Sequence, residues 1–226
     1  LKPTFSTKSI LSKNLIDQTL LEQVLDFTPE TLSNDQKLEI ATALLQGNGV
    51  RSNAELGLRI LEEMAEANVA EAFSTLVNHY FSKAPEKAYY YAMKLGKAKQ
   101  RASTSFLDQL EAKISFDKVL ELQSRNPINR LDGKSLLSSV YFIEQAKSYY
   151  RGLGAERSYL SSYYWASLAS ASGARQGEMI LANLHNLARN LSATEFEIWL
   201  NAIASVEKLT LDDWLAFKIA ERINTE

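Results

Sequence analysis

Apolar residues along this chain recur at three- and four-residue intervals, with polar residues filling the positions between them. Leu15, Ile16, Leu20, Leu21, Val24 and Leu25 form the first such series, which ends near Pro29. That spacing puts apolar side chains on one face of an α-helix, whereas the strict alternation of a half-buried strand is scarce. The same period predicts further helices over about 34–46, 53–66, 69–82, 86–98, 103–123, 134–151, 158–172, 174–189, 193–207 and 210–224. With four prolines and nine glycines in the chain, the connections are short, so neighbouring helices are expected to pack antiparallel. Residues 1–12, with Pro3 and several Ser, Thr and Lys, read as a lead-in before one helical domain over 13–226. Ser33 and Asn34 are placed to cap the helix at 34, and Thr194 lies in the turn that opens the helix at 193. Thr210, Asp212 and Asp213 put carboxylates at the expected start of the last helix. The polar stretch from Ser124 to Lys134, with Pro127 and Gly133, is the strongest internal break.

One pattern occurs twice. Gly47, Asn48, Gly49 and Val50 are matched by Gly152, Leu153, Gly154 and Ala155, each set lying between two helical segments. In this register Asn53 aligns with Ser158, Gly57 with Ser162, Ile60 with Trp165, Ala65 with Ser170 and Asn68 with Gly173. Ala72, Leu76 and Tyr80 then align with Gly177, Leu181 and His185 in steps of four, one face of a helix. These residues resemble the Sel-one-like repeat, a helix pair related to the tetratricopeptide repeat. Tyr149, Gly152, Gly154, Trp165, Ala169 and Gly173 make the most complete copy. The copy at Ile40–Asn68 keeps Gly47, Gly49, Val50 and Ala65 but has Leu44, Asn53, Gly57 and Ile60 at other pattern positions. A third copy starts at Ala72, Leu76 and Tyr80, with its turn reduced to Ser82–Pro85, and residues 103–140 hardly match. The resemblance implies an all-α, right-handed α/α superhelical solenoid of antiparallel helix pairs. Repeats would span about 36–190, with non-repeat helices at both ends, 191–226 closing the C-terminal one.

Composition narrows the class further. A hydrophobic content of 46% with 10% aromatics supplies a continuous core, and a net charge of −2 lacks the broad basic field of a nucleic-acid binder, so no nucleic acid is expected. Cysteine is absent, which excludes disulfides, thiolate metal sites and cysteine nucleophiles. No apolar run approaches the roughly 20 residues of a membrane span. Because the chain begins with Leu1, a signal peptide, anchor or further domain is expected to precede it.

Candidate chemistry is sparse. His79 and His185 belong to no metal-ligand motif, and His185, aligned with Tyr80, is expected to pack inside its repeat. Glu62–Glu63 and Asp212–Asp213 are adjacent on helices and diverge. The Gly-x-Gly turns lack the preceding strand and further glycine of a dinucleotide loop. No catalytic residue, metal or cofactor is therefore assigned. Three features remain as binding candidates. Lys83, Lys87, Lys94, Lys97, Lys99 and Arg101 face the single acid Glu86 and are interleaved with Tyr89, Tyr90 and Tyr91, suiting an anionic ligand. Tyr141 belongs to an aromatic cluster running through Phe142, Tyr149, Tyr150, Tyr159, Tyr163, Tyr164 and Trp165, more than one helix pair readily buries. Gln145 stands where the repeat calls for a buried leucine. The reading is a non-catalytic protein-interaction scaffold or adaptor. The resemblance implies a bacterial envelope setting, periplasmic in preference to cytoplasmic, with a cell-wall hydrolase or the periplasmic sensing end of a membrane protein as alternatives.

Overall fold

The computed structural model describes residues 32–99, 104–131 and 138–223, and among them every regular element is helical. The chain divides into two compact units, Leu1–Lys83 and Ala84–Glu226.

In the first unit, α1 (Asn34–Gln46), α2 (Ala54–Glu66) and α3 (Ala70–Tyr80) form two successive hairpins. Ser33 opens α1 with a full capping box, its hydroxyl accepting from Gln36 N–H while the Gln36 side chain accepts from Ser33 N–H. The core is Ile40, Leu44, Leu61, Phe73, Leu76 and Val77, all nearly inaccessible to solvent. The amphipathic series at Leu15–Leu25 lies outside the described residues.

The second unit comprises α4 (Pro85–Lys99), α5 (Thr104–Glu111), α6 (Phe116–Ser124), α7 (Ser139–Arg151), α8 (Tyr159–Ala171), α9 (Arg175–Leu187), a 3-10 turn at Ala188–Asn190 and α10 (Ala193–Ile223). The central helix is α8, packed against α7, α9 and α10. Most of its surface is buried, including Tyr163, Tyr164, Trp165, Leu168 and Ala169. Trp165 stacks on Phe142 at 5.9 Å, and Phe142 meets Phe217 edge-on at the same separation, which joins α7, α8 and α10.

The repeat is visible bond by bond. Gly47 ends α1 at φ +69° and Gly152 ends α7 at φ +68°, a left-handed conformation that only glycine adopts without strain. Past each turn the chain is tied back to the helix it left: Asn53 N–H donates to Leu44 C=O at 3.0 Å, and Ser158 N–H donates to Tyr149 C=O at 3.1 Å. Asn53 and Ser158 then cap α2 and α8 through their side chains. The following turns match as well. Asn68 and Gly173 both have positive φ, while Val69 N–H donates to Met64 C=O and Ala174 N–H to Ala169 C=O, each at 3.0 Å. One position shows how the copies differ in packing. A β-carbon on Gly57 would stand 2.8 Å from Ala41 O, so α1 and α2 touch backbone to side. At the corresponding place Ser162 Oγ donates to Ala146 C=O at 2.9 Å, which satisfies the carbonyl through a hydroxyl.

Several sequence expectations are corrected. Residues 103–123 are two helices, because Ser115 is extended at φ −65°, ψ 149° and starts α6 afresh. The two helices expected over 193–224 are one, α10, and Thr210 lies inside it with its hydroxyl donating to Val206 C=O at 2.8 Å. Thr194 does lie in the first turn of α10, and the cap is Ser192: Ser192 N–H donates to Glu195 Oε2 and Glu195 N–H to Ser192 Oγ. His185 is exposed, since α9 buries Gly177, Ile180 and Leu184 instead of the line through Leu181 and His185. Its ring rests edge-on against Tyr163 at 5.6 Å.

Candidate binding cleft

Where the pattern of the two Gly-x-Gly turns diverges, the second unit builds a polar site. The residues following Gly154 are Ala155, Glu156 and Arg157, where the first unit carries Val50, Arg51 and Ser52. Arg51 and Ser52 are exposed, but Glu156 and Arg157 are buried. Burying a charge costs several kcal/mol unless partners surround it, so both side chains are held by dense contacts.

Arg157 is 3% exposed and bonds through Nη1 to Asp108 Oδ1 at 2.6 Å and Glu111 Oε1 at 3.1 Å. Burial opposes its charge, yet the Glu111 carboxylate, with Asp108 behind it, raises its pKa above the usual arginine value. Glu111 also accepts from Tyr89 Oη and Tyr159 Oη, each at 2.5 Å. Gln123 completes the set, its amide donating to Tyr89 Oη at 2.7 Å while its carbonyl accepts from Tyr159 N–H at 2.8 Å. Burial first, then the charge of Glu111, pushes both tyrosine pKa values well up, so the hydroxyls stay protonated donors. These residues lock α4, α5, α6 and the start of α8 to one another. Both Glu111 oxygens are committed to donors, and Asp108 gives one oxygen to Arg157.

Glu156 is the second anchor. Its Oε1 accepts from Lys94 at 2.9 Å and Lys97 at 3.4 Å, and its Oε2 accepts from Asn126 Nδ2 at 2.6 Å. Gly154 N–H adds a backbone bond to Gly96 C=O at 3.2 Å, joining the turn to α4. Above this framework lies a cleft of about 400 Å³ lined by Lys97, Asn126, Gln145, Tyr149, Glu156 and Ser161, among others. That volume is within the range of small-ligand sites, and its walls are polar and apolar in about equal measure. A shallower hollow of about 520 Å³ runs along α1 in the first unit, but no buried charge frames it.

The basic segment thus separates into parts. Lys94 is three-quarters buried and belongs to the framework, with its ammonium also 5.6 Å from the Tyr90 ring. Lys97 is 61% exposed and borders the cleft. Lys87 is exposed on α4, and Lys83 is the last residue of the first unit. The Lys99 side chain and Arg101 lie outside the described residues. Gln145 is half-buried on α7 and shares the cleft with Lys97, one turn before Tyr149. Tyr141, one turn earlier still, is 38% exposed and packs edge-on against Trp165 at 5.6 Å. Sequence reasoning missed Glu156, Arg157, Glu111 and Gln123. The available signal was a charged pair directly after a repeat turn whose other copy has no such pair.

A second surface is apolar. Leu211, Leu215, Ile219 and Ile223 of α10 are between 52% and 69% exposed and stand at four-residue intervals, a single ridge on one helix. The opposite side of α10 packs through Trp199, Ile203, Val206 and Phe217. No helix among the described residues is long and apolar enough to cross a membrane, and no cluster of three His, Cys, Asp or Glu there is arranged to hold a metal.

Comparison with known proteins adds one likeness. No family model and no curated protein matches the sequence. Among solved structures, the chain is similar to a protective antigen present in uropathogenic Escherichia coli strains, described as displaying an SLR fold. The identity is 15% and the TM-score 0.29, with 91% of this chain and 52% of the antigen chain covered. The chain therefore spans about half the length of that protein. The helical-repeat assignment stands on the paired turns and helix hairpins of this molecule.

Proposed function

We propose that this chain is a non-catalytic protein-interaction scaffold whose second unit holds a partner at the cleft beside the Gly152–Gly154 turn. The observation that carries this is the contrast between framework and lining. Glu156 and Arg157 are buried and ion-paired and the largely buried Glu111 has both oxygens committed, whereas Gln145 and the mostly exposed Lys97 line the cleft. An ion-paired base with further polar groups lining the cleft favours binding over reaction. A hydrolase would need a carboxylate or hydroxyl free to take a proton, and Glu111, at the centre of the network, has both oxygens committed to Arg157, Tyr89 and Tyr159. The finer role, an adaptor in the assembly or regulation of a bacterial envelope complex, rests on the repeat resemblance.

Affinity capture from the native host tests the reading, with the intact chain and its Lys97→Glu form as parallel baits. The expectation is a protein recovered near stoichiometrically on the intact bait and depleted on the variant. Recovery of no protein above background by the intact bait would remove the scaffold assignment.

A further inference from the structure

Two residues that line the cleft point to the chemistry of what enters it. Lys97 is only loosely held: Lys94 occupies the same carboxylate oxygen of Glu156 at 2.9 Å, which leaves Lys97 the longer contact at 3.4 Å on a side chain that is 61% exposed. The other Glu156 oxygen is filled by Asn126. Two ammonium groups therefore stand over one carboxylate, a local excess of one positive charge at Glu156. Arg157 adds no positive charge to it, because Asp108 and Glu111 together outnumber that guanidinium by one. The half-buried Gln145, which also lines the cleft, makes no hydrogen bond among the described residues, so a donor and an acceptor on one planar group remain open there. A carboxamide of this kind is the complement of a peptide unit, giving N–H to a carbonyl and accepting from an N–H at once. Ser161 and Tyr149 add further polar atoms to the lining, which suits a hydrated polar chain.

We infer that the cleft is a subsite for an extended acidic peptide segment, with Lys97 pairing to a Glu or Asp carboxylate and Gln145 reading the adjacent backbone amide. This deepens the scaffold reading and rests on it. It also gives Gln145 a reason to stand on a largely apolar helix face beside Phe142, Ile143 and Ala146, where leucine would pack at least as well. Gln145→Leu is then a variant that keeps the fold while removing the amide contact.

The experiment titrates the full, isotope-labelled chain with acetyl-Ala-Glu-Ala-amide, acetyl-Ala-Gln-Ala-amide and free acetate, following the Gln145 side-chain amide and Lys97 ammonium by NMR. Expected is a saturable shift at both groups with the glutamate peptide and an affinity several-fold lower for the glutamine peptide. Lys97→Glu and Gln145→Leu should each weaken the glutamate peptide by about tenfold, while Gln145→Leu unfolds no earlier than the parent. The milder Lys97→Ala should fall between parent and Lys97→Glu. Equal response to acetate alone or to the glutamine peptide would overturn the inference, as would absence of a saturable Gln145 shift. If the host capture above recovers a partner equally on the intact, Lys97→Glu and Gln145→Leu baits, the acidic-peptide subsite and the placement of the partner at this cleft are refuted, while the general scaffold role stands. If the intact bait recovers nothing, the scaffold reading itself falls.

Discussion

Arg157 occupies the position that Ser52 fills in the first unit, and the exchange of a small exposed residue for a buried guanidinium reorganises everything around it. Glu111, Tyr89, Tyr159 and Gln123 are assembled on that one charge. Removing Glu111 as Glu111→Ala should cost about 3 to 5 kcal/mol in urea denaturation, because it strands Arg157 with Asp108 alone. Arg157→Met combined with Glu111→Gln should recover most of that loss, since no buried charge is then left unpaired. A second residue-scale prediction concerns acid. Burial raises the Asp213 pKa, but the Arg130 and Tyr164 hydrogen bonds outweigh it and the net direction is down. A depressed carboxyl pKa stabilises the fold above the unfolded value of about 3.9, and that contribution is lost as pH falls through the lower folded value. Asp213→Asn should thus be less stable than the parent at pH 7, with the gap closing below about pH 4 in urea midpoints measured across pH.

At the scale of elements, the hairpins rest on the same bonds in both copies, and the difference at Gly57 and Ser162 gives a paired test. Gly57→Ala drives a methyl group against the Ala41 carbonyl and should destabilise by about 1 to 3 kcal/mol. Ser162→Ala adds no volume but leaves the Ala146 carbonyl without its hydroxyl donor, a loss of about 1 to 3 kcal/mol by thermal or urea unfolding. The exposed ridge of α10 predicts the opposite behaviour: Leu215→Gln with Ile219→Gln should leave stability within about 0.5 kcal/mol per site. The helices around both glycine turns were legible in the sequence, because turn, cap and apolar period agree there. Those that misled did so for local reasons. Ser115 starts a helix inside a continuous apolar series, and Asp213, which looks like an N-terminal carboxylate, is instead held mid-helix by Arg130 at 2.6 and 2.9 Å. The apolar period of α9 is blurred because Met179 is exposed while Ile180 and Leu184 are buried.

For the molecule as a whole, the helical-repeat architecture could be read from spacing and paired turns, and the cleft could not. Lys97 and Gln145 stand out in the sequence, one by charge and one by violating an apolar pattern. Nothing in their separation says that they border one cleft, since that depends on Glu156 and the Gly154 bond to Gly96 drawing α4 onto the turn after α7. Long-range partners of this kind, 59 and 62 residues apart in the chain, have no periodic signature. The central claim is that a partner protein sits at this cleft, and site-specific photocrosslinking in the native host addresses it most directly. With a photoreactive residue at position 145 and, in a separate chain, at the exposed Met179 of α9, the account predicts a discrete protein adduct from position 145 that Lys97→Glu diminishes, and none of the same species from position 179. A position-145 probe that yields no protein adduct, or the same adduct from both positions, would contradict it.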